Sequence, residues 1–136
     1  MTRRPSSADL RFLARERVVR LATADRRGTP WVVPVCHAVE DGRIYVGTAA
    51  GGLKVENIRR TGRAALVADR YRDSWRGLRG VAVTGRAQVF ERGPVFERGV
   101  RLLYRKYRQY RRHAALEPGE SVIVRVTPGR ALSWRF

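Results

Sequence analysis

Apolar and polar residues change period several times along this chain, and each change marks an element. Ser6-Ser7-Ala8-Asp9 has the spacing of a capping box. Leu10, Leu13 and Ala14 follow on one face, so a short helix begins there. Residues 18–23 then read as a strand, 25–30 as its turn and 31–39 as a second strand. Pro34 removes a ladder donor from that strand, which places it at an edge, at a bulge or against a ligand. Asp41-Gly42 is a two-residue hairpin signal leading into a third strand, 43–48, so the first three strands are expected in meander order.

Residues 49–52, Ala-Ala-Gly-Gly, form a hinge before a short helix over 53–60, with Gly62 suited to its C-cap. A fourth strand covers 64–68, and a polar excursion carrying Tyr71 and Trp75 runs from Asp69 to Arg79. Val81, Val83, Ala87 and Val89 alternate with polar residues in a long fifth strand, where Gly85 marks a bend or bulge. Phe96, Val100, Leu103, Tyr107, Tyr110 and Ala114 recur at helical spacing, which predicts one amphipathic helix over 96–114. Two short strands, 121–127 and 131–136, close the chain around Pro128-Gly129. Six or seven period-two segments with few helices predict a mainly β fold in one domain, 1–136: a closed or partly closed antiparallel barrel with flanking helices. Long crossover helices between the first three strands are missing, so a βαβ architecture is not expected.

Composition adds one large fact. The 136 residues carry a formal charge of +17, and of 29 basic residues only Lys54 and Lys106 are lysines. Such a field attracts polyanions, either nucleic acid or a phosphorylated cofactor with an acidic tail. The charge is spread along the chain rather than gathered in a tail, which argues against nucleic acid as the partner. No apolar run is long enough to cross a bilayer, and no secretory signal opens the chain, so a cytoplasmic protein is expected. A single cysteine, Cys36, excludes an internal disulfide framework.

Candidate chemistry centres on Thr48-Ala-Ala-Gly-Gly-Leu-Lys54. A strand ends in a hydroxyl, glycines permit close approach, and a helix opens with a lysine, a combination that suits phosphate. It is not a Walker A loop, since Lys54 lacks the flanking Gly and Ser/Thr. The plain alternative is an ordinary strand-to-helix loop. His37 and His113 stand apart without ligand spacing, and Cys36 and His37 point to opposite faces of a strand, so a small buried cysteine is expected rather than a thiol–imidazole pair. No paired carboxylates suit acid–base work, which leaves the chemistry of any enzyme here to a cofactor. Arg98, Arg101, Arg105, Arg108 and Arg112 form a second stripe on the long helix. It reads first as a solvated flank and alternatively as a ramp for an anionic ligand or nucleic acid.

The order and spacing of several segments resemble the flavin/deazaflavin split-barrel family, the pyridoxamine-phosphate-oxidase-like proteins, and especially its small F420-dependent branch. They include Val19-Arg-Leu-Ala-Thr-Ala-Asp25, Gly28-Thr-Pro-Trp-Val-Val-Pro-Val-Cys36, Asp41-Gly-Arg-Ile-Tyr45, Lys54 with Asn57-Ile58, Ala68-Asp-Arg-Tyr71, Trp75, Val83-Thr-Gly-Arg-Ala87, Lys106-Tyr-Arg-Gln-Tyr110 and Trp134. The resemblance implies a homodimer with F420 or FMN at the subunit interface. The ring is expected against Val33, Pro34, Val35 and Cys36, the phosphate near Thr48, Lys54 and Asn57, and Trp134 closing the interface. The implied reaction moves a hydride between the cofactor and a small oxidised or unsaturated substrate. Three departures stand out: a shortened loop before Lys54, Glu56 where relatives carry a basic residue, and His37 in place of an aromatic. The rival class is a binding module, either a barrel that holds a flavin without turnover or a basic protein associated with nucleic acid.

Overall fold

The chain builds, in order, α1 (Ser7–Arg15), β1 (Val19–Ala24), β2 (Pro30–Val35), β3 (Ala38–Glu40), β4 (Arg43–Ala49), α2 (Leu53–Thr61), β5 (Arg63–Arg70), β6 (Arg79–Phe90), α3 (Pro94–Lys106), α4 (Tyr110–His113) and β7 (Ser121–Arg135). The structure, a computed structural model, describes residues 1–136. Its seven strands form one antiparallel sheet in the order β2-β1-β5-β6-β7-β4-β3. The two edge strands, β2 and β3, are separated in sequence by only Cys36 and His37. Three Cα steps reach at most about 11 Å, so the sheet must curl until its edges nearly meet. The result is the expected split antiparallel barrel.

Local signals hold at several places. Ser6 caps α1 and Asp9 returns the bond, completing the capping box. Asp41 and Gly42 both take positive φ, 51° and 74°, the type I′ geometry that joins β3 to β4. Gly62 ends α2 in the left-handed region.

Three expectations need correction. The apolar run 31–39 is two strands on opposite edges, because His37 turns into the core between them; β2 pairs with β1 and β3 with β4, so there is no three-strand meander. The helix over 96–114 stops at Lys106 and resumes as one short turn, α4. Tyr107 causes the break: its hydroxyl accepts His37 N–H at 3.0 Å, and its single proton is shared between Arg17 O at 2.8 Å and His37 O at 3.0 Å. Finally, the two last strands are one, with Gly129 bulged out between partners of Thr84 and Gly85. Gly85 permits this because a Cβ there would lie 2.1 Å from Thr127 O.

Burial follows the pleat. Val19, Leu21, Ile44, Val46, Leu66, Val81, Val83, Val124 and Val126 fill the interior, together with Phe12 and Leu13 from α1 and Ile58 from α2. A second cluster joins Phe96, Leu103 and Tyr107 to Tyr45, Leu116 and Ile123, fixing α3 and the segment after it to β4 and β7. No helix is long and apolar enough to cross a membrane.

Candidate functional site: an apolar edge and a basic groove

Strand β2 breaks the burial pattern of every other strand, since Pro30 to Pro34 are all exposed. Trp31, Val33 and Val35 lie opposite Thr23, Leu21 and Val19 of β1, which are buried, so they belong to the interior face. Yet Trp31 is 50% and Val33 37% exposed. The barrel interior therefore runs out to solvent along this edge. Pro30, Val32 and Pro34 face outward, opposite Ala24, Ala22 and Arg20. Because β2 pairs continuously with β1, its prolines must occupy positions whose missing N–H falls on the free edge. That edge resists a further strand while leaving carbonyls and an apolar surface open.

Beside it, a groove of about 640 Å³ opens between the β1–β2 turn and α2. Arg26 and Arg27 come from the turn, and Leu53, Glu56, Arg59 and Arg60 from the helix. Asp25 organises the turn: its carboxylate accepts Trp31 Nε1–H at 3.0 Å and the N–H groups of Arg27 and Thr29 at 2.9 and 3.0 Å. Those bonds, the indole's foremost, hold its carboxyl below the usual range. Arg59 pairs with Glu91 at 3.2 Å, and Arg60 donates to Ala24 O and to Asn57. Arg26 and Arg27 have no acidic partner, so they are the groove's uncommitted cations.

The residues anticipated from sequence divide. Val33, Pro34 and Val35 share the exposed edge. Cys36 is half-buried rather than buried, and packs against the α3 cluster instead of the barrel interior. Thr48 lies next to the end of β4 on the interior side, in line with Ile44 and Val46, and Lys54 is half-buried in the first turn of α2. Gly52 gives that helix no side-chain cap, and its carbonyl takes the N–H groups of Val55 and Glu56, leaving those of Leu53 and Lys54 free. Lys54 does not line the arginine groove. Asn57 is 2% exposed, its amide donates to Thr23 Oγ1 at 3.1 Å and fastens α2 to β1, and it lines the floor of the arginine groove. Trp134 lies half-buried across Gly80, where a Cβ would meet the indole at 2.1 Å. Arg26 and Arg27 carried no signal in sequence, since only the fold brings their turn to α2.

On the outer face of the sheet, successive rows run Val32, Ala22, Ala65, Thr84, Arg130 and then Pro34, Arg20, Val67, Ala82, Leu132. Gly80 and Trp134 border them. Ala22, Ala65 and Ala82 are small, but Arg20, paired with Asp69 at 2.9 Å, and Arg130 stand among them, while Val32 at the rim is 62% and Leu132 43% exposed.

The family described as pyridoxamine 5′-phosphate oxidase matches residues 8–135. No curated protein matches the chain. Among solved structures, a conserved hypothetical protein of Mycobacterium tuberculosis is 27% identical, with a TM-score of 0.81 over 96% of this chain and 85% of that one. An FAD-binding protein of Mesorhizobium loti is 24% identical, with a TM-score of 0.75 over 98% and 95%. A heme binding protein of Mycobacterium smegmatis is 18% identical, with a TM-score of 0.80 over 97% of this chain but 55% of the other, so this chain spans about half its length. The last two likenesses concern the fold.

Proposed function

This chain belongs to the pyridoxamine 5′-phosphate oxidase family, and from that premise we propose that it is a flavin- or deazaflavin-dependent oxidoreductase acting on a small organic substrate. The observation that carries the reading is the juxtaposition of the exposed apolar strand β2 with a groove of uncommitted cations. The residues fit the two ends of such a cofactor. Trp31, Val33 and Val35 offer apolar surface to a flat ring, and the free carbonyls beside Pro34 offer acceptors to its polar edge. Arg26 and Arg27 in the groove suit a phosphate, and Lys54 with the free N–H groups at the start of α2 offers an anion contact outside it. When bound, the ring supplies hydride chemistry; the chain supplies position and keeps water from the ring's face.

A second copy of the chain completes the proposal. The outer face bounded by Val32, Leu132 and Trp134, with small alanines beside the Arg20–Asp69 pair, supplies a mixed surface for a homodimer, whose seam would pass along β2 and cover the ring. F420 stands ahead of FMN, because its phosphodiester and glutamate tail present more negative charge to a protein of +17. The test is titration of apo-protein with each cofactor at low and high salt. Binding of F420 that is tighter and more salt-dependent than that of FMN is expected. Lys54→Ala and Arg27→Ala should each weaken binding about 10- to 150-fold, the loss of one charge-assisted hydrogen bond. No affinity for either cofactor would refute the reading, and salt-insensitive FMN binding without F420 affinity would refute the preference.

A further inference from the structure

The arginine stripe seen in sequence is not a straight row. Its first member, Arg98, is neutralised by Glu40, with Asp41 at 3.7 Å. Beyond it the helix breaks at Tyr107, and the chain folds Arg108 and Arg111 back around Tyr104. Arg101, Arg105, Arg108 and Arg111, all exposed, line a groove of about 440 Å³ with Tyr104. None of the four has an ion-pair partner. Tyr104 is fixed, its hydroxyl accepting Leu116 N–H at 3.0 Å. The Arg111 guanidinium lies 5.1 Å from its ring centroid.

We propose that this corner between α3 and α4 is a docking surface for the phosphodiester backbone of nucleic acid. Four like charges in one groove repel each other, and an anion relieves that repulsion. Guanidinium groups match phosphate oxygens in a planar fork. Arg101 and Arg105 are one turn apart, a rise of about 6 Å, close to the through-space step between neighbouring phosphates on one strand. The Arg111 guanidinium over the Tyr104 ring adds a cationic face of the kind on which the unpaired bases of a single strand settle. An anionic membrane is the poorer occupant: Leu103 and Tyr107 are buried, and the large exposed apolar residues lie elsewhere, among them Trp31, Val32, Leu53, Trp75 and Phe136. Acidic peptides lack a base for the stack. The surface is separate from the basic groove described above, since α3 packs on β3, β4 and β7 while that groove is built from α2 and the β1–β2 turn.

The experiment compares three full-length proteins by fluorescence anisotropy: wild type, a corner variant (Arg101, Arg105, Arg108 and Arg111→Gln) and a charge-matched control (Arg11, Arg72, Arg76 and Arg86→Gln). The control residues are exposed and scattered, so it has the same net charge with the corner intact. Probes are a duplex DNA of arbitrary sequence and a single-stranded RNA; binding of either serves. Four phosphate contacts predict that the corner variant's log–log salt slope on duplex DNA is shallower than wild type by about 3.6, equal to roughly 100-fold in affinity between about 50 and 200 mM salt. The control should keep most of the wild-type affinity. Equal losses in both variants would overturn the proposal, reducing it to net charge, as would failure of wild type to bind either probe. Corner-dependent binding to phosphatidylglycerol vesicles or polyglutamate that exceeds binding to nucleic acid would also overturn it. Circular dichroism checks that each variant is folded. If the corner variant is not, Arg105→Gln and Arg108→Gln singly must each reduce the slope by about 0.9.

Discussion

Acidification from about pH 7.5 to about pH 5 should remove about 2 kcal/mol of stability through His37 alone. Its side chain is fully buried at the seam between β2 and β3. Nε2 lies 2.6 Å from Leu13 O and so carries the hydrogen, while Nδ1 has no partner. Burial, with Lys106 Nζ at 3.5 Å from Nε2 as a lesser cause, lowers its pKa from 6.5 to about 4; the bond to Leu13 and the charge of Glu16 act in the opposite direction. The unfolded chain therefore binds a proton that the folded chain refuses. Stability is full above pH 6.5 and falls as pH drops toward 4, where the folded form also titrates. Integrating over the stated interval gives about 2 kcal/mol, and the full separation of the two values is worth about 3.4 kcal/mol. Urea unfolding at both ends of the interval, read as a shift in midpoint at constant m, measures it. His37→Gln should flatten the dependence. A wild-type loss under about 0.5 kcal/mol, or an undiminished slope in folded His37→Gln, would refute the argument.

Other expectations follow from the same structure. Asp9, which the Arg3 guanidinium at 2.5 Å holds near a pKa of about 2, contributes stability above pH 3.8 that is lost as pH falls through 2. Asp9→Asn should cost about 2 kcal/mol at neutral pH, measured by urea unfolding. Gly85→Ala puts a methyl against the Thr127 carbonyl and should cost about 3 kcal/mol, with the melting temperature as the readout; a change under about 1 kcal/mol would show that the bulge yields. Val32→Lys with Leu132→Lys should turn the proposed dimer into a monomer in sedimentation equilibrium without lowering the melting temperature of the monomer.

Sequence exposed the short-range features and hid the ones made at a distance. The capping box at Ser6, the turn at Asp41-Gly42 and the cap at Gly62 depend on neighbours within four residues, so they were legible. Continuous apolarity from Trp31 to Val39 masked a change of sheet edge at His37, whose partner, Leu13 O, lies far along the chain. Helical spacing continued through Tyr107 although its hydroxyl is tied to Arg17 and His37. Pro128-Gly129 suggested a turn because a bulge uses the same residue types. At the site, β2 was legible through its prolines and apolar run. Arg26 and Arg27 were not, because the groove exists only once the β1–β2 turn meets α2.

The two-residue link between β2 and β3 sets the girth of the molecule. In an open sheet the end strands are strangers, free to drift apart or to recruit foreign chains; here they are tethered. Lengthening the tether with flexible residues would let the curl relax and the slot beside β2 widen, while every ladder stayed intact. Cutting it would free two raw edges on one protein. Insertions at this dipeptide are thus a means of tuning how wide the barrel gapes, separate from the identity of any side chain that lines it.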